Sequence, residues 1–247
     1  MTYKMTDHDV QEDVDYDLED FNVGPYKFVV TTIAFMPIEV LMAMGKKKVE
    51  ISGQKLWCGS LGAIEYLIDH PVFVKDKIVL ELGAGTGVLG MLCNRLGASN
   101  VVLTDNDPRS ITHMTADVPR NNIDATVCSL DWFQPPSQDE LMAMVGERAA
   151  AETGAVRIVA GDVLYKRVLL EPFMNTTKAI LSAFADSEMI LCHVPRAGIE
   201  QKDVCELAEA KGLTITEMDA ELWRKGSCTE YSPEEDYTRA RLYTLRA

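Results

Sequence analysis

The apolar positions of this chain change period in a regular order. Leu56, Leu61, Ile64, Leu67 and Ile68 recur at helical spacing, which predicts a helix with one face turned inward. Asp69-His70-Pro71 ends it, because a residue before proline is driven out of the helical region. Short runs rich in Val, Ile and Leu then alternate with helix-length segments. Strands are predicted over Lys77–Leu82, Asn100–Thr104, Ala125–Leu130, Arg157–Gly161 and Met189–Val194. Helices are predicted over Val88–Leu96, Arg109–Val118, Glu140–Ala151, Glu171–Ala185 and Glu200–Lys211. Such alternation is the signature of right-handed crossovers and a parallel sheet. Leu213–Glu217 and Arg239–Leu245 follow with no helix-length apolar pattern between them, which predicts a terminal antiparallel hairpin. The expected fold is α/β: a mostly parallel seven-stranded sheet with helices on both faces.

Upstream, Tyr26–Phe35 and Lys48–Ile51 are rich in β-branched and aromatic residues, which suits strands of a small accessory sheet. Residues 1–20 carry eight acids against one lysine, and too few apolar groups to offset the entropy of ordering by burial. Three parts are therefore expected: a mobile acidic arm (1–20), accessory strands (21–55) and the main domain (56–247). The arm is read as a solubilising tail or as a lure for basic partners.

Composition narrows the function classes. With 47% hydrophobic and 25% charged residues in 247, the chain can bury a sizeable core. A net charge of −14 argues against nucleic acid as a partner, because phosphate binding needs a basic face. The six cysteines form no C-x-x-C pair and sit mostly in apolar segments, as reduced core thiols do. The longest apolar stretches fall short of the ~20 residues that span a bilayer, and no basic-then-apolar leader is visible. No membrane association and a cytoplasmic location are expected, with nuclear access left open.

The sharpest chemical signal is Glu81-Leu82-Gly83-Ala84-Gly85-Thr86-Gly87, an apolar strand running into a glycine turn and then a helix. Gly83, Gly85 and Gly87 allow positive φ and close backbone approach, and the helix offers free N–H groups. Gly85–Gly90 matches the letters of a dinucleotide fingerprint, but Gly83 closes the strand and Val88 stands where that register needs its third glycine. Glu81 suits a ligand bearing an ammonium group better than a pyrophosphate. S-adenosylmethionine is thus favoured over a nicotinamide or flavin cofactor.

Other strand ends add to this. Asp105 ends the second strand, where a carboxylate can accept both hydrogens of a ribose diol, and Asp107 is the better helix cap before Pro108. Asp131 and Trp132 end the third strand, an acceptor and a flat aromatic suited to adenine. Asp162 and Tyr165 follow the fourth strand, where they can present a carboxylate and an aromatic wall to one cationic side chain. His113 and His193 fit no metal or triad spacing and are read as structural, and no metal site is expected.

These residues resemble the family-16 group of seven-β-strand methyltransferases, the methyltransferase-like protein-lysine methyltransferases. Four blocks carry the resemblance: Gly53-Gln54-Lys55-Leu56-Trp57, Glu81–Gly87, Leu130-Asp131-Trp132 and Asp162-Val163-Leu164-Tyr165, the last like the group's (D/E)-x-x-(Y/F) signature. The resemblance implies a class I, Rossmann-like fold. It also implies that Trp57 and the Gly83–Gly87 turn enclose the methionine part of S-adenosylmethionine, and that Asp162 and Tyr165 line an acceptor channel. The implied reaction methylates a lysine on a protein such as a chaperone, an AAA-type ATPase or a translation factor, leaving S-adenosylhomocysteine. A protein-histidine methyltransferase, a small-molecule N- or O-methyltransferase and a cofactor-binding scaffold stand as alternatives. The Glu221–Tyr237 insertion matches no motif of the group.

Overall fold

A computed structural model describes residues 15–35, 52–146, 152, 154–226, 231 and 233–247. Seven strands form the main sheet: β3 (Ile78–Leu82), β4 (Asn100–Asp105), β5 (Thr126–Ser129), β6 (Val156–Gly161), β7 (Glu188–His193), β8 (Thr214–Glu217) and β9 (Arg241–Arg246). Their spatial order is β5-β4-β3-β6-β7-β9-β8. The first five run parallel, and β9 inserts antiparallel to both β7 and β8. The predicted class I architecture and terminal antiparallel pair are thus observed. The chain winds outward from β3 to one side, then restarts with β6 on the other, so a crevice opens at the carboxyl ends of β3 and β6.

Successive strand residues feed two cores, as the period of two requires. Val79, Val101, Leu103 and Val159 pack with α1 (Cys58–Asp69), α2 (Val88–Arg95) and α3 (Pro108–Arg120) on one face. Leu80, Leu82, Val102 and Ile158 pack with α4 (Gln138–Val145), α5 (Arg167–Ala183) and α6 (Gln201–Ala210) on the other. The helix predicted over Glu140–Ala151 is described only as α4, because residues 147–151 lie outside the described set. Helix α5 starts four residues earlier than predicted and carries Pro172 inside it. The carbonyl that loses its partner there belongs to Val168, which is 63% exposed and open to water.

Part of the segment expected to be a mobile arm is strand, and residues 1–14 lie outside the described residues. Residues 15–20, assigned to it above, lie in β1 (Asp15–Val23), which pairs antiparallel with β2 (Tyr26–Phe35). The acids of β1 face outward while Phe21 and Val23 are buried, and Tyr16 packs edge-on against His113 of α3 at 4.5 Å. Helix α3 holds the hairpin through side chains: Asn121, just past its end, bonds Val29 N and O at 2.8 Å each, and Asp117 accepts from Thr31 N at 2.7 Å. The strand predicted at Lys48–Ile51 lies outside the described residues. Between β8 and β9, where no helix was expected, lies the short α7 (Glu234–Arg239). Tyr237 of α7 donates to buried Glu65 of α1, which also accepts from Lys225 N at 3.0 Å, so this crossover is fastened to α1. Cys58, Cys93 and Cys192 are buried free thiols, Cys128 and Cys205 are half-buried, and Cys228 lies outside the described residues. No described helix is long and apolar enough to cross a membrane.

Candidate functional site

The carboxyl ends of β3, β4, β5 and β6 surround a cavity of about 700 Å³, well inside the usual size range of small-molecule sites. Its lining includes Trp57, Gly83, Gly85, Asp105, Asp131, Trp132, Asp162 and Tyr165. Eight of the ten site residues expected from sequence therefore meet in one space. Glu81 and Gly87 are not among the lining residues.

The turn after β3 is built as its glycines predict, with φ of +66° at Gly83, +57° at Gly85 and +74° at Gly87. Gly87 caps α2 in the left-handed region, so its part is to start the helix rather than to line the cavity. At Gly85 a Cβ would stand 2.9 Å from the Gly53 carbonyl oxygen, so the turn and the 52–54 segment approach as bare backbone. Trp57, the residue before α1, donates its Nε1–H to the Ser52 carbonyl and closes that segment over the cavity.

Glu81 corrects an expectation. Its side chain is 2% exposed and Oε2 accepts from Gly90 N at 2.8 Å in α2, so it braces helix against strand and is not turned to a ligand's ammonium. Burial pushes its carboxyl up to about 8, opposed by the Gly90 N–H.

Asp105 is half-buried at the cavity rim. Oδ2 accepts from Gly85 N and Oδ1 from Asp107 N, both at 2.9 Å. Burial raises its carboxyl against these N–H groups. A carboxylate has about four acceptor directions, so capacity remains for a diol. Asp107 caps α3 as expected and also accepts from Gln54 Nε2 at 2.9 Å. Asp131 accepts from Phe133 N at 3.0 Å, and the Trp132 ring packs edge-on against Phe173 at 5.0 Å.

Asp162 stands apart. It has φ of +60°, uncommon for a residue with a Cβ, and its side chain is wholly buried. Its N–H continues the β6–β7 pairing to the Cys192 carbonyl at 2.8 Å. Oδ2 takes Arg196 Nη2 at 2.7 Å and the Gly59 N–H at 3.4 Å, while Oδ1 takes no hydrogen bond among the described residues. Burial pushes this carboxyl up to about 6, against the pull of the Arg196 guanidinium. Gly59 has to be glycine for this, since a Cβ there would stand 2.5 Å from Asp162 N. Tyr165 lines the same end of the cavity, and Lys166 Nζ lies 5.3 Å from its ring centroid.

Arg196 escaped the sequence reading. Its one signal was position: three residues past β7, at the same carboxyl edge as every other site residue. His193 is fully buried, with its imidazole pushed down to about 4 by burial and Nε2 3.3 Å from the Ile199 carbonyl oxygen, which fits the structural reading.

Residues 39–209 match the family described as lysine methyltransferase. The protein N-terminal and lysine N-methyltransferase efm7 of Neurospora crassa is 25% identical over 176 residues, covering 67% of this chain and 62% of the relative. The protein-lysine N-methyltransferase EFM3 of Chaetomium thermophilum is 23% identical over 169 residues, covering 67% of this chain and 49% of the relative. In both cases the match spans less than two thirds of the relative's length. Among solved structures, the T. thermophilus 16S rRNA N2 G1207 methyltransferase, determined with AdoMet and guanosine, is similar at a TM-score of 0.56 and 16% identity, covering 94% of this chain and 50% of that one. That likeness concerns the fold.

Proposed function

This chain belongs to the lysine methyltransferase family, and from that premise we propose that it transfers a methyl group from S-adenosylmethionine to a lysine side chain of a protein substrate. The observation that carries the reading is the joining, in one cavity, of a bare-backbone glycine cradle to a buried carboxylate, one oxygen of which takes no hydrogen bond among the described residues. The cradle fits the donor: Trp57 and the Gly83–Gly85 turn would hold its methionine part, Asp105 the ribose, and Asp131 with Trp132 the adenine. When bound, the donor supplies a methyl group already activated by a sulfonium, so the chain's task is orientation. Glu81 takes no part in holding it.

At the other end Asp162 and Tyr165 receive the acceptor. With its carboxyl at about 6, Asp162 is mostly an anion at neutral pH, and an anion with an unsatisfied buried oxygen draws in an ammonium group. The amine has to shed its proton before it reacts, and a cationic donor nearby eases that loss. Asp162 therefore orients the amine, and a strong base is not required. The name of the Neurospora relative adds a second acceptor of the same chemistry, a protein's N-terminal amine. The net charge of −14 favours a basic protein segment over nucleic acid, of the chaperone, AAA-type ATPase or translation-factor kind and in the cytoplasm.

The test is to incubate the protein with methyl-labelled S-adenosylmethionine and an extract of cells lacking it, then map the labelled residue by mass spectrometry. Label on a lysine is the expected result. Label on histidine, or only in the small-molecule fraction, overturns the reading.

A further inference from the structure

Arg196 touches three groups that no sequence motif connects. Its Nη2 lies 2.7 Å from Asp162 Oδ2 and 3.7 Å from Asp236 Oδ2, and its Cζ lies 5.3 Å from the centre of the Trp57 ring. The loop that carries it is pinned from both sides. Ile199 N donates to the Arg196 carbonyl at 2.9 Å, and Arg239 donates to the Pro195 carbonyl. Asp236 and Arg239 both belong to α7, in the crossover that the sequence left without a role. Through Glu65 that same crossover grips α1, the helix that starts next to Trp57 and whose Gly59 N–H reaches Asp162.

The consequence for Asp162 is an asymmetric carboxylate. Oδ2 is held by a cation and an N–H, while Oδ1 meets no hydrogen-bond partner of good geometry among the described residues, the Val194 N–H acting on the carboxyl only weakly. A symmetric bidentate pair would use both oxygens and close the site to an incoming amine. An absent partner would leave a wholly buried carboxylate uncompensated, and it would hold its proton and lose its attraction for an ammonium. One-sided pairing avoids both.

We propose that Arg196 is a positioning residue of the transfer reaction: it fixes Asp162 by one oxygen so that the other is offered to the acceptor amine, and it ties that carboxylate to the Trp57 wall of the donor site, with Asp236 steadying it from outside. This rests on the reading of Asp162 as the acceptor-holding carboxylate. Arginine suits the post because its planar fork can meet two carboxylates and an aromatic ring at once, where an ammonium group meets one of them well. Among the described residues Asp236 and Cys192 also act on Asp162, and His193 lies near Arg196. Burial keeps the Cys192 thiol protonated and the His193 ring neutral near pH 7.

The experiment uses the full-length protein and the Arg196→Met, Arg196→Lys and Asp236→Asn variants. Circular dichroism first verifies folding. Carbon-13 NMR then follows the Asp162 carboxyl through pH 5–9, with no substrate present. The midpoint should move up by at least about one pH unit in Arg196→Met and return toward the wild-type position in Arg196→Lys. S-adenosylhomocysteine affinity by calorimetry should stay within about threefold, while kcat/KM on the band labelled in the cell extract should fall at least about tenfold in Arg196→Met. Asp236→Asn should lose about twofold. An unmoved midpoint, or a loss of S-adenosylhomocysteine affinity as large as the loss of transfer, overturns the proposal. If the wild-type protein labels no acceptor, the transfer reading fails instead, and the titration still decides whether Arg196 governs Asp162.

Discussion

Asp105 and Asp162 sit at the carboxyl ends of β4 and β6, the two strands that flank β3, and both line the same cavity. Their partners differ in kind. Asp105 is tied to the N–H groups of Gly85 and Asp107, backbone donors set by the glycine turn and the start of α3. Asp162 is tied to a side chain 34 residues away, through one oxygen only. A carboxylate satisfied by backbone is part of a rigid cradle, to which a ligand adds hydrogen bonds. A buried carboxylate in a left-handed backbone, paired with a cation through one oxygen, keeps unused hydrogen-bond capacity on the other. The half of the cavity proposed for the donor is preorganised by local chain geometry, and the half proposed for the acceptor by tertiary contacts.

The strongest way to break this contrast is Asp162→Asn. The substitution keeps the shape and removes the charge proposed to draw the amine, so kcat/KM for the protein acceptor should fall about a hundredfold or more. S-adenosylhomocysteine affinity should stay near wild type, because Asp162 lies outside the residues assigned to ribose and adenine. The pH profile adds a second readout. The anion is the competent form and its carboxyl titrates near 6, so the wild-type rate should fall as pH drops through about 6. A rate profile in which Asp162→Asn retains both that step and the wild-type rate would remove Asp162 from the acceptor site.

Asp105→Ala tests the other half, with a smaller effect on a different quantity. Losing charge-assisted hydrogen bonds to a diol should weaken S-adenosylhomocysteine binding at least about tenfold by calorimetry. The same change strips Gly85 N and Asp107 N of their acceptor, so the melting temperature of the unliganded protein should also drop by several degrees. Unchanged affinity with a lowered melting temperature would leave Asp105 as scaffolding alone.

The same contrast explains what the sequence made legible. The glycine turn, the Asp107 cap and the alternation of strands and helices were readable because each depends on neighbours within one strand–helix unit. Arg196 was hidden because its meaning comes from Asp162, Asp236 and Trp57, which only the folded sheet brings together. The acidic segment misled for a related reason. Its charges describe the solvent face of β1, while what orders the hairpin is Asp117 and Asn121, some 90 residues on. Glu81 misled in the opposite sense. It stands before the glycine turn in sequence, but strand alternation sends its side chain with Val79 to the α2 face, onto Gly90.

Glu81 is therefore the internal control, a third carboxylate at the same sheet edge that the cavity does not use. Glu81→Gln keeps an acceptor for Gly90 N–H and removes only the ionisation, so transfer and S-adenosylhomocysteine affinity should each stay within about threefold. The effect should appear in stability against pH. The wild-type carboxyl titrates near 8 when folded and at its ordinary value near 4.5 when unfolded, so between these values the folded state binds more protons. Stability from this group is therefore lost as pH rises across that window. Asp162 contributes in the same direction below about 6, which leaves pH 6–9 to report Glu81. Over that range the wild-type melting temperature should fall with pH more steeply than that of Glu81→Gln, and the two curves should diverge toward pH 9. Parallel curves would mean that the folded Glu81 carboxyl is already ionised by pH 6, so that burial does not raise it. A large loss of S-adenosylhomocysteine affinity at constant stability would instead return Glu81 to the donor site.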